Sequence, residues 1–281
     1  MGPGPVLTAP GAASGAAQVE SLAEAAAPGH LHFLGLTGAR TVDTPGLRAV
    51  DDALADAHQQ RRFLCVLGDA GVGKTFAVHH AACTRFARSH LPLRLGARPT
   101  PADLRAHLHH ALALHDALPG DALPAAPALT DALIRRALAA RAYIVVVDEA
   151  DRMSEACFEY LRFLYDDTPD GLCVVLIAGQ RGEKALRAQQ MLATRTAQRL
   201  TLRPLARVSV PNAAWALHPV WRIVAPDQLC FLDGHFAQGS LRRWALLTHH
   251  VKRALTATGR TRVDSDLLRQ TLERIDTSRR P

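Results

Sequence analysis

The sequence has few aromatic residues and lacks the patterns of several common protein classes. Phe, Trp and Tyr together make up 5% of its 281 residues. Ala and Leu dominate instead, which favours a helix-rich fold over a β-sandwich. Neither a CxxC pair nor an HExxH motif occurs, so we expect no zinc site. The five cysteines stand mostly among apolar neighbours, and we interpret them as buried, reduced thiols.

Long apolar runs are also missing, and none reaches the length of a membrane span. The opening Met-Gly-Pro-Gly-Pro has neither the basic residues nor the compact apolar core of a signal peptide. We therefore expect a cytoplasmic protein with no membrane partner. Positive charge is abundant: 33 Lys and Arg against 26 Asp and Glu give a formal net charge of +7. That balance makes nucleic acid a candidate partner, although many basic proteins bind none.

Strand and helix patterns alternate through the centre of the chain. Short apolar runs at 63–67, 143–147 and 172–178 predict buried parallel strands. Weaker strand patterns occur at 93–97 and 199–202, the latter as a sheet edge. Helical patterns separate these runs, including one that predicts a helix near 182–190. The alternation predicts a doubly wound α/β sheet.

The two ends of the chain differ from this centre. Residues 1–29 are rich in Ala, Gly and Pro and carry few large apolar side chains, which predicts a disordered tail. An α/β domain is expected at 30–207. Helical patterns alone follow, so we expect a small all-helical lid domain at 208–281, in which Ser240 is a candidate helix N-cap.

A glycine-rich segment follows the first predicted strand and opens a helix. It reads Gly-Asp-Ala-Gly-Val-Gly-Lys-Thr, the full pattern of a phosphate-binding P-loop. Glycines let backbone N–H groups approach a phosphate, and the helix N-terminus adds partial positive charge. Lys74 is predicted to reach the β- and γ-phosphates of ATP, and Thr75 to ligate Mg²⁺. The predicted nucleotide contacts are Gly68, Asp69, Ala70, Gly71, Val72, Gly73, Lys74, Thr75 and Phe76.

Two adjacent carboxylates end the most regular strand pattern, at 143–147. Asp148 is predicted to hold Mg²⁺ together with Thr75, and Glu149 to orient and deprotonate the water that attacks the γ-phosphate. Two acids that merely end a strand and start a helix are the alternative, and the upstream P-loop favours the catalytic interpretation. A small-molecule kinase needs no water-activating Glu, so the pair favours hydrolysis.

Three further polar residues are candidates for the site. Gln180 follows the strand at 172–178, and ligands of doubly wound sheets lie at the carboxyl ends of strands, so it can contact the γ-phosphate or the attacking water. Arg195 is a candidate to reach a neighbouring subunit's γ-phosphate and stabilise the transition state. Arg242, at a helix start in the second domain, is a candidate to fold down on the nucleotide. An ordinary loop or surface residue is the alternative for each.

In this order, the P-loop, Asp148-Glu149, Gln180, Arg195 and Arg242 resemble the elements of an AAA+ ATPase with a helical lid. Three stretches are similar to the transposition ATPases of the TniB, TnsC and MuB group. They are Val-Asp-Glu-Ala-Asp-Arg-Met-Ser, Thr-Val-Asp-Thr-Pro-Gly-Leu-Arg and Gly-Ser-Leu-Arg-Arg-Trp-Ala-Leu-Leu, which begin at Val147, Thr41 and Gly239. The resemblance covers roughly residues 35–275. One departure is Gln180, which stands where the group usually has Asn.

The resemblance implies ATP-dependent assembly of identical subunits into rings or filaments on duplex DNA. The assembly would recruit a transposase, and hydrolysis would dismantle it. Candidate contacts to DNA phosphates, largely independent of base sequence, are Arg181, Lys184 and Arg187, with Arg260 and Arg262 as a second patch. A solvated helix face is the alternative for the first patch. Two other functions stay open: an AAA+ helicase loader or secretion-associated ATPase, and a switch that binds ATP without hydrolysing it.

Overall fold

The computed structural model describes residues 36–118, 123–168 and 171–277, with the backbone alone at 276–277. The tail predicted at 1–29 lies outside the described residues. The described chain begins with an α/β part and continues as a helical part. None of its helices combines the length and the apolar character that a membrane span requires.

A parallel sheet forms the centre of the first part. Its strands are β1 (Phe63–Gly68), β2 (His90–Leu93), β3 (Tyr143–Val147), β4 (Leu172–Ile177) and β5 (Thr196–Leu202). They are ordered β2-β3-β4-β1-β5, and every neighbouring pair is parallel. The strands β1, β3 and β4 are buried along their whole length, as continuous apolar runs predict for strands covered on both faces.

Helices cover both faces of this sheet, which confirms the doubly wound prediction. Alternate residues of β1 show the two layers: Leu64 and Val66 pack into one core cluster, and Cys65 and Leu67 into the other. The first cluster is completed by α1 (Pro45–Gln59) and α2 (Lys74–Phe86). The second is completed by α3 (Pro101–Leu114), α4 (Pro127–Ala140), α5 (Glu155–Asp167), α6 (Glu183–Ala188) and α7 (Gln190–Arg195).

Helices make up the regular structure that is described after β5. They are α8 (Val210–Leu217), α9 (Pro226–Leu232), α10 (Leu241–Thr258) and α11 (Ser265–Thr277), with a π-helical turn at Asp233–Ala237. Their core contains Trp221 and Trp244, whose rings meet edge to face with centroids 5.4 Å apart. The Trp244 Nε1–H donates to Asp233 Oδ1 at 2.9 Å, so the polar ends of this aromatic core are satisfied.

Two sequence predictions were wrong in position. The second strand occupies His90–Leu93 rather than 93–97, because its pairing with β3 ends where Leu93 meets Val147. Pro92 lies inside this strand and weakens its sequence pattern, yet it is tolerated because β2 is a sheet edge. The helix predicted near 182–190 is divided into α6 and α7, because the backbone at Gln189 is extended.

The cysteines follow their prediction only in part. All five are free thiols, and Cys65, Cys157 and Cys173 are buried as expected. Cys83 and Cys230 are only partly buried. Cys83 lies on α2 with its Sγ 3.6 Å from His90 Nδ1, and Cys230 lies on α9 with its Sγ 3.7 Å from the Arg207 carbonyl oxygen.

Candidate nucleotide-binding site

The P-loop joins the end of β1 to the first turn of α2 and needs glycine for two reasons. Gly68 and Gly71 have φ angles of +143° and +85°, in the region that L side chains rarely adopt. A Cβ at Gly68 would also lie 2.5 Å from the Leu202 carbonyl oxygen, and one at Gly71 would lie 2.5 Å from Ser240 Oγ. The loop is therefore packed between β5 and the helical part, with its backbone open toward a ligand.

Lys74 closes the loop on itself. Its Nζ donates to the carbonyl oxygens of Gly68 and Asp69, both at 2.9 Å. Burial lowers the pKa of Lys74, the charge of Asp148 opposes that shift, and Arg242 adds to it. A phosphate would supply this ammonium group with the negative charge that the two neutral carbonyl oxygens lack.

The residues predicted to hold Mg²⁺ lie next to each other. Thr75 Oγ1 donates to Asp148 Oδ2 at 2.8 Å, and the Asp148 Oδ1 accepts from the backbone N–H of Glu149 at 2.8 Å. A hydroxyl and a carboxylate oxygen beside a phosphate site are the hard ligands that Mg²⁺ takes together with waters and phosphates. The donor set thus fits the ion.

Glu149 stands at a left-handed backbone position, with φ of +52°. Its carboxylate pairs with Arg152 at 2.7 Å, and 56% of its side chain is exposed. Arg152 ends the short 3₁₀ turn at Ala150–Arg152, which directly follows Glu149. The candidate base therefore faces open space and is held by a single exposed cation among the contacts that are described for it.

These groups surround one cavity of about 530 Å³, within the usual range for a small-molecule site. The P-loop lines it from Ala70 to Thr75, followed by Phe76 and Ala77, and β4 contributes Ala178 and Gly179 at its end. Its acidic and basic wall consists of Asp148, Glu149, Asp151, Arg152 and Arg242. Its apolar wall consists of Val42, Leu47, Leu202, Leu217, Leu241 and Ala245, with Thr44 beside them.

The start of α10 lies directly on the P-loop. The Arg242 backbone N–H donates to the Gly71 carbonyl oxygen at 3.1 Å, and Ser240 Oγ donates to the same oxygen at 3.3 Å. Ser240 Oγ also accepts from the backbone N–H of Arg243 at 3.3 Å, which confirms Ser240 as the N-cap. This contact brings Arg242 to the cavity wall, and contact of Arg242 with a nucleotide stays a prediction.

Gln180 reaches the P-loop rather than the cavity. Its side-chain amide lies against the Asp69 carboxylate, and with its nitrogen turned toward Asp69 it would donate at 2.7 Å to Oδ1 and 3.2 Å to Oδ2. Gly68 and Asp69, which were also predicted to contact the nucleotide, accept hydrogen bonds from Lys74 Nζ through their carbonyl oxygens. Contact of Gln180 with a γ-phosphate or a water stays a prediction.

Arg195 lies away from the other candidates. It precedes β5 and so lies at the amino ends of the parallel strands, whereas the P-loop follows the carboxyl end of β1. Its guanidinium binds the two carboxylate oxygens of Asp166 at 2.9 and 2.8 Å. Arg195 does not meet the cavity of its own subunit, and its contact with a neighbour's phosphate stays a prediction.

The two basic patches are exposed. In the first, Arg187 pairs with Glu183 at 2.6 Å, and in the second, Arg260 pairs with Asp264 at 3.0 Å. In both pairs the acid and the arginine are four residues apart, so each acid offsets part of the positive charge of its patch. DNA contact at either patch stays a prediction.

Residues 57–186 match the family model described as "AAA domain". Solved structures extend the likeness beyond that segment. The Thermotoga maritima RuvB Holliday junction branch migration motor gives a TM-score of 0.57 at 16% identity, over 83% of this chain and 69% of that chain. The chain has the P-loop AAA+ fold.

Two further solved proteins share this AAA+ fold. The Cdc6p structure from Pyrobaculum aerophilum gives a TM-score of 0.63 at 13% identity, over 81% of this chain and 65% of that chain. The Aeropyrum pernix Orc1 protein, solved in complex with DNA, gives 0.63 at 15% identity, over 88% of this chain and 69% of that chain. No significant match is found among curated proteins.

Sequence reasoning missed several cavity residues of this AAA+ fold. Val42 and Leu217 come from segments far apart in the chain, and no local pattern joins them. Asp151 and Arg152 follow the Asp148-Glu149 pair after a single alanine, Ala150, and their charge close to a predicted base was the one available signal.

Proposed function

We propose that this chain is an ATP-hydrolysing AAA+ protein that assembles on duplex DNA. The observation that carries the proposal is the convergence of Lys74, Thr75, Asp148 and Glu149 on one cavity that α10 covers. Each group has the chemistry that phosphate binding, metal binding or proton removal requires.

The residues divide the reaction among them. Lys74 exchanges its two carbonyl partners for phosphate oxygens, and the N-terminus of α2 adds favourable dipole charge. Thr75 and Asp148 would hold Mg²⁺, which would neutralise phosphate charge. Glu149 accepts a proton from the attacking water, and Arg242 contacts the phosphates from the helical part. Arg195 of a neighbouring subunit stabilises the charge of the transition state.

Assembly on DNA is the finer part of the proposal. The net charge of +7 favours a polyanionic partner. Of two proteins with the same fold, RuvB is described as a Holliday junction branch migration motor and Orc1 was solved in complex with DNA. The sequence resemblance to the TniB, TnsC and MuB group supports a role in choosing the target of a transposase. Arg181, Lys184 and Arg187 would contact phosphates.

Phosphate release with and without duplex DNA tests the proposal. The wild-type chain releases phosphate from ATP, and Glu149→Gln still binds ATP but releases phosphate at least about a hundredfold more slowly. Asp266→Asn is a matched control, since Asp266 is an exposed acid paired with Arg269 in the helical part, and it keeps the wild-type rate. Wild-type turnover by Glu149→Gln would remove Glu149 from its role.

A further inference from the structure

Arg152 and Glu149 form an ion pair inside the wall of the cavity. The Arg152 Nη1 lies 2.7 Å from Glu149 Oε2, and both residues line the space in which the phosphates would lie. The pair is half exposed, at 50% and 56% for the two side chains. The Arg152 cation is therefore paired with the candidate base at the place where a triphosphate would bring negative charge.

The backbone beneath this pair is firmly held. Arg152 N–H donates to the Glu149 carbonyl oxygen at 2.9 Å, and Met153 N–H donates to that of Ala150 at 3.2 Å. Asp151 packs so closely on Gly182 that a Cβ at Gly182 would overlap the Asp151 Cβ. Movement at this place is thus confined to the exposed side chains of Glu149 and Arg152.

The strengths of the two possible partners decide where the guanidinium goes. An exposed ion pair at this spacing changes an equilibrium by about fivefold or less. Arginine makes charge-assisted, bidentate hydrogen bonds to carboxylate and to phosphate alike. A terminal phosphate carries about two negative charges, whereas the Glu149 carboxylate carries one. A terminal phosphate within reach therefore outcompetes Glu149 for Arg152.

We propose that Arg152 is a positioning residue that exchanges Glu149 for the terminal phosphate of ATP. This inference rests on the proposed ATP hydrolysis. When the triphosphate enters, the Arg152 guanidinium leaves the Glu149 carboxylate and donates to a terminal phosphate oxygen. The carboxylate is then available to accept the proton of the attacking water. After the phosphate departs, the ion pair forms again and keeps Glu149 idle.

Equilibrium binding without turnover tests the exchange. With a fluorescent, non-hydrolysable ATP analogue and fluorescent ADP, Arg152→Ala weakens analogue binding about tenfold and leaves ADP binding unchanged. Arg152→Lys restores part of the preference for the triphosphate, and Arg152→Gln serves as a second variant should the alanine variant fold poorly. Arg269→Ala, which removes an exposed arginine with the same i,i+3 pairing at 2.7 Å, changes neither affinity.

The Glu149→Gln variant gives an independent arm. Removing the competing carboxylate strengthens analogue binding by up to about fivefold, and this gain disappears in Glu149→Gln combined with Arg152→Ala. An unchanged ratio of analogue to ADP affinity in both Arg152→Ala and Arg152→Gln overturns the proposal. Failure of the proposed ATP hydrolysis looks different: the wild type releases no phosphate with or without DNA, while its triphosphate preference still depends on Arg152.

Discussion

The backbone N–H of Arg242 donates to the carbonyl oxygen of Gly71 at 3.1 Å, which joins the helical part of the chain to the P-loop. Ser240 Oγ donates to the same oxygen at 3.3 Å. A ligand that changes the conformation of the P-loop therefore acts directly on the start of α10. Under the proposed function, this contact would couple nucleotide binding to the position of the helical part.

The Gly71→Ala variant should disturb this junction. Its φ of +85° costs roughly 1–2 kcal/mol for an L residue, and the new Cβ would lie 2.5 Å from Ser240 Oγ. We expect weaker ATP binding, measured by titration calorimetry, together with a lower free energy of unfolding.

Gly259→Ala separates backbone strain from the junction. Gly259 has a φ of +65°, and a Cβ there would meet no described atom within 4 Å. This control should lose only the part of the free energy of unfolding that comes from backbone strain, while keeping its ATP affinity. Equal loss of affinity in both variants would mean that the contact of α10 with Gly71 has no part in binding.

The Gly182→Ala variant tests the support beneath Asp151. Gly182 has an ordinary φ of −74°, so the effect arises from its overlap with Asp151 alone. Overpacking of this kind costs about 1–3 kcal/mol, and we expect a lower kcat for ATP hydrolysis because the turn that carries Glu149 must shift. Gly96→Ala, whose Cβ would meet no described atom within 4 Å, should behave as wild type in both the unfolding and the kinetic measurement.

Stability should fall as the pH drops, through His90. Burial lowers the pKa of His90 to about 3, and the charge of His79 contributes; the two rings meet at 3.1 Å between His79 Nδ1 and His90 Nε2. The folded state holds His90 neutral, so this stability is complete above pH 6.5 and declines below it, as the unfolded chain takes up a proton.

Urea unfolding at several pH values measures this decline. Between pH 6.5 and 5 the contribution of His90 is about 2 kcal/mol. The variant His90→Gln keeps a polar group on β2 but cannot titrate, so its free energy of unfolding should depend less steeply on pH. A slope identical to that of the wild type would contradict the assignment to His90.

Mixed assemblies test whether Arg195 acts on a neighbouring subunit. Arg195→Ala alone and Glu149→Gln alone should each hydrolyse ATP slowly while still binding it. A mixture of the two contains interfaces that join an intact Glu149 to an intact Arg195, so the mixture should regain activity in steady-state phosphate release. If mixing restores nothing although mixed particles form, Arg195 does not act across the interface.

The P-loop and the Asp148-Glu149 pair were predictable because their geometry is local. Eight consecutive residues define the loop, and the strand at 143–147 aims the two acids at the carboxyl edge of the sheet. The structure brings Lys74, Thr75 and Asp148 together as expected. The parallel strands at 63–67 and 172–178 could also be predicted, since these segments are apolar at every position.

What the sequence left out depends on packing between distant segments. The position of β2 is set by its register with β3, and Pro92 weakens the strand pattern that would otherwise have predicted it. The contact of Ser240 with Gly71 joins residues 169 positions apart. The sequence predicted Ser240 only as a helix N-cap, and nothing in the local pattern predicts its second contact with the P-loop. Asp151 and Arg152 are common surface residue types, and only the folded chain places both at the cavity wall.

Electron microscopy of the wild-type chain with duplex DNA tests the central claim, that the nucleotide cavity controls assembly on DNA. With a non-hydrolysable ATP analogue, ordered rings or filaments should form along the DNA, and with ADP they should be absent. Lys74→Ala should form none in either state. DNA that stays bare in the presence of the analogue, or particles that form equally well with ADP, would contradict the account.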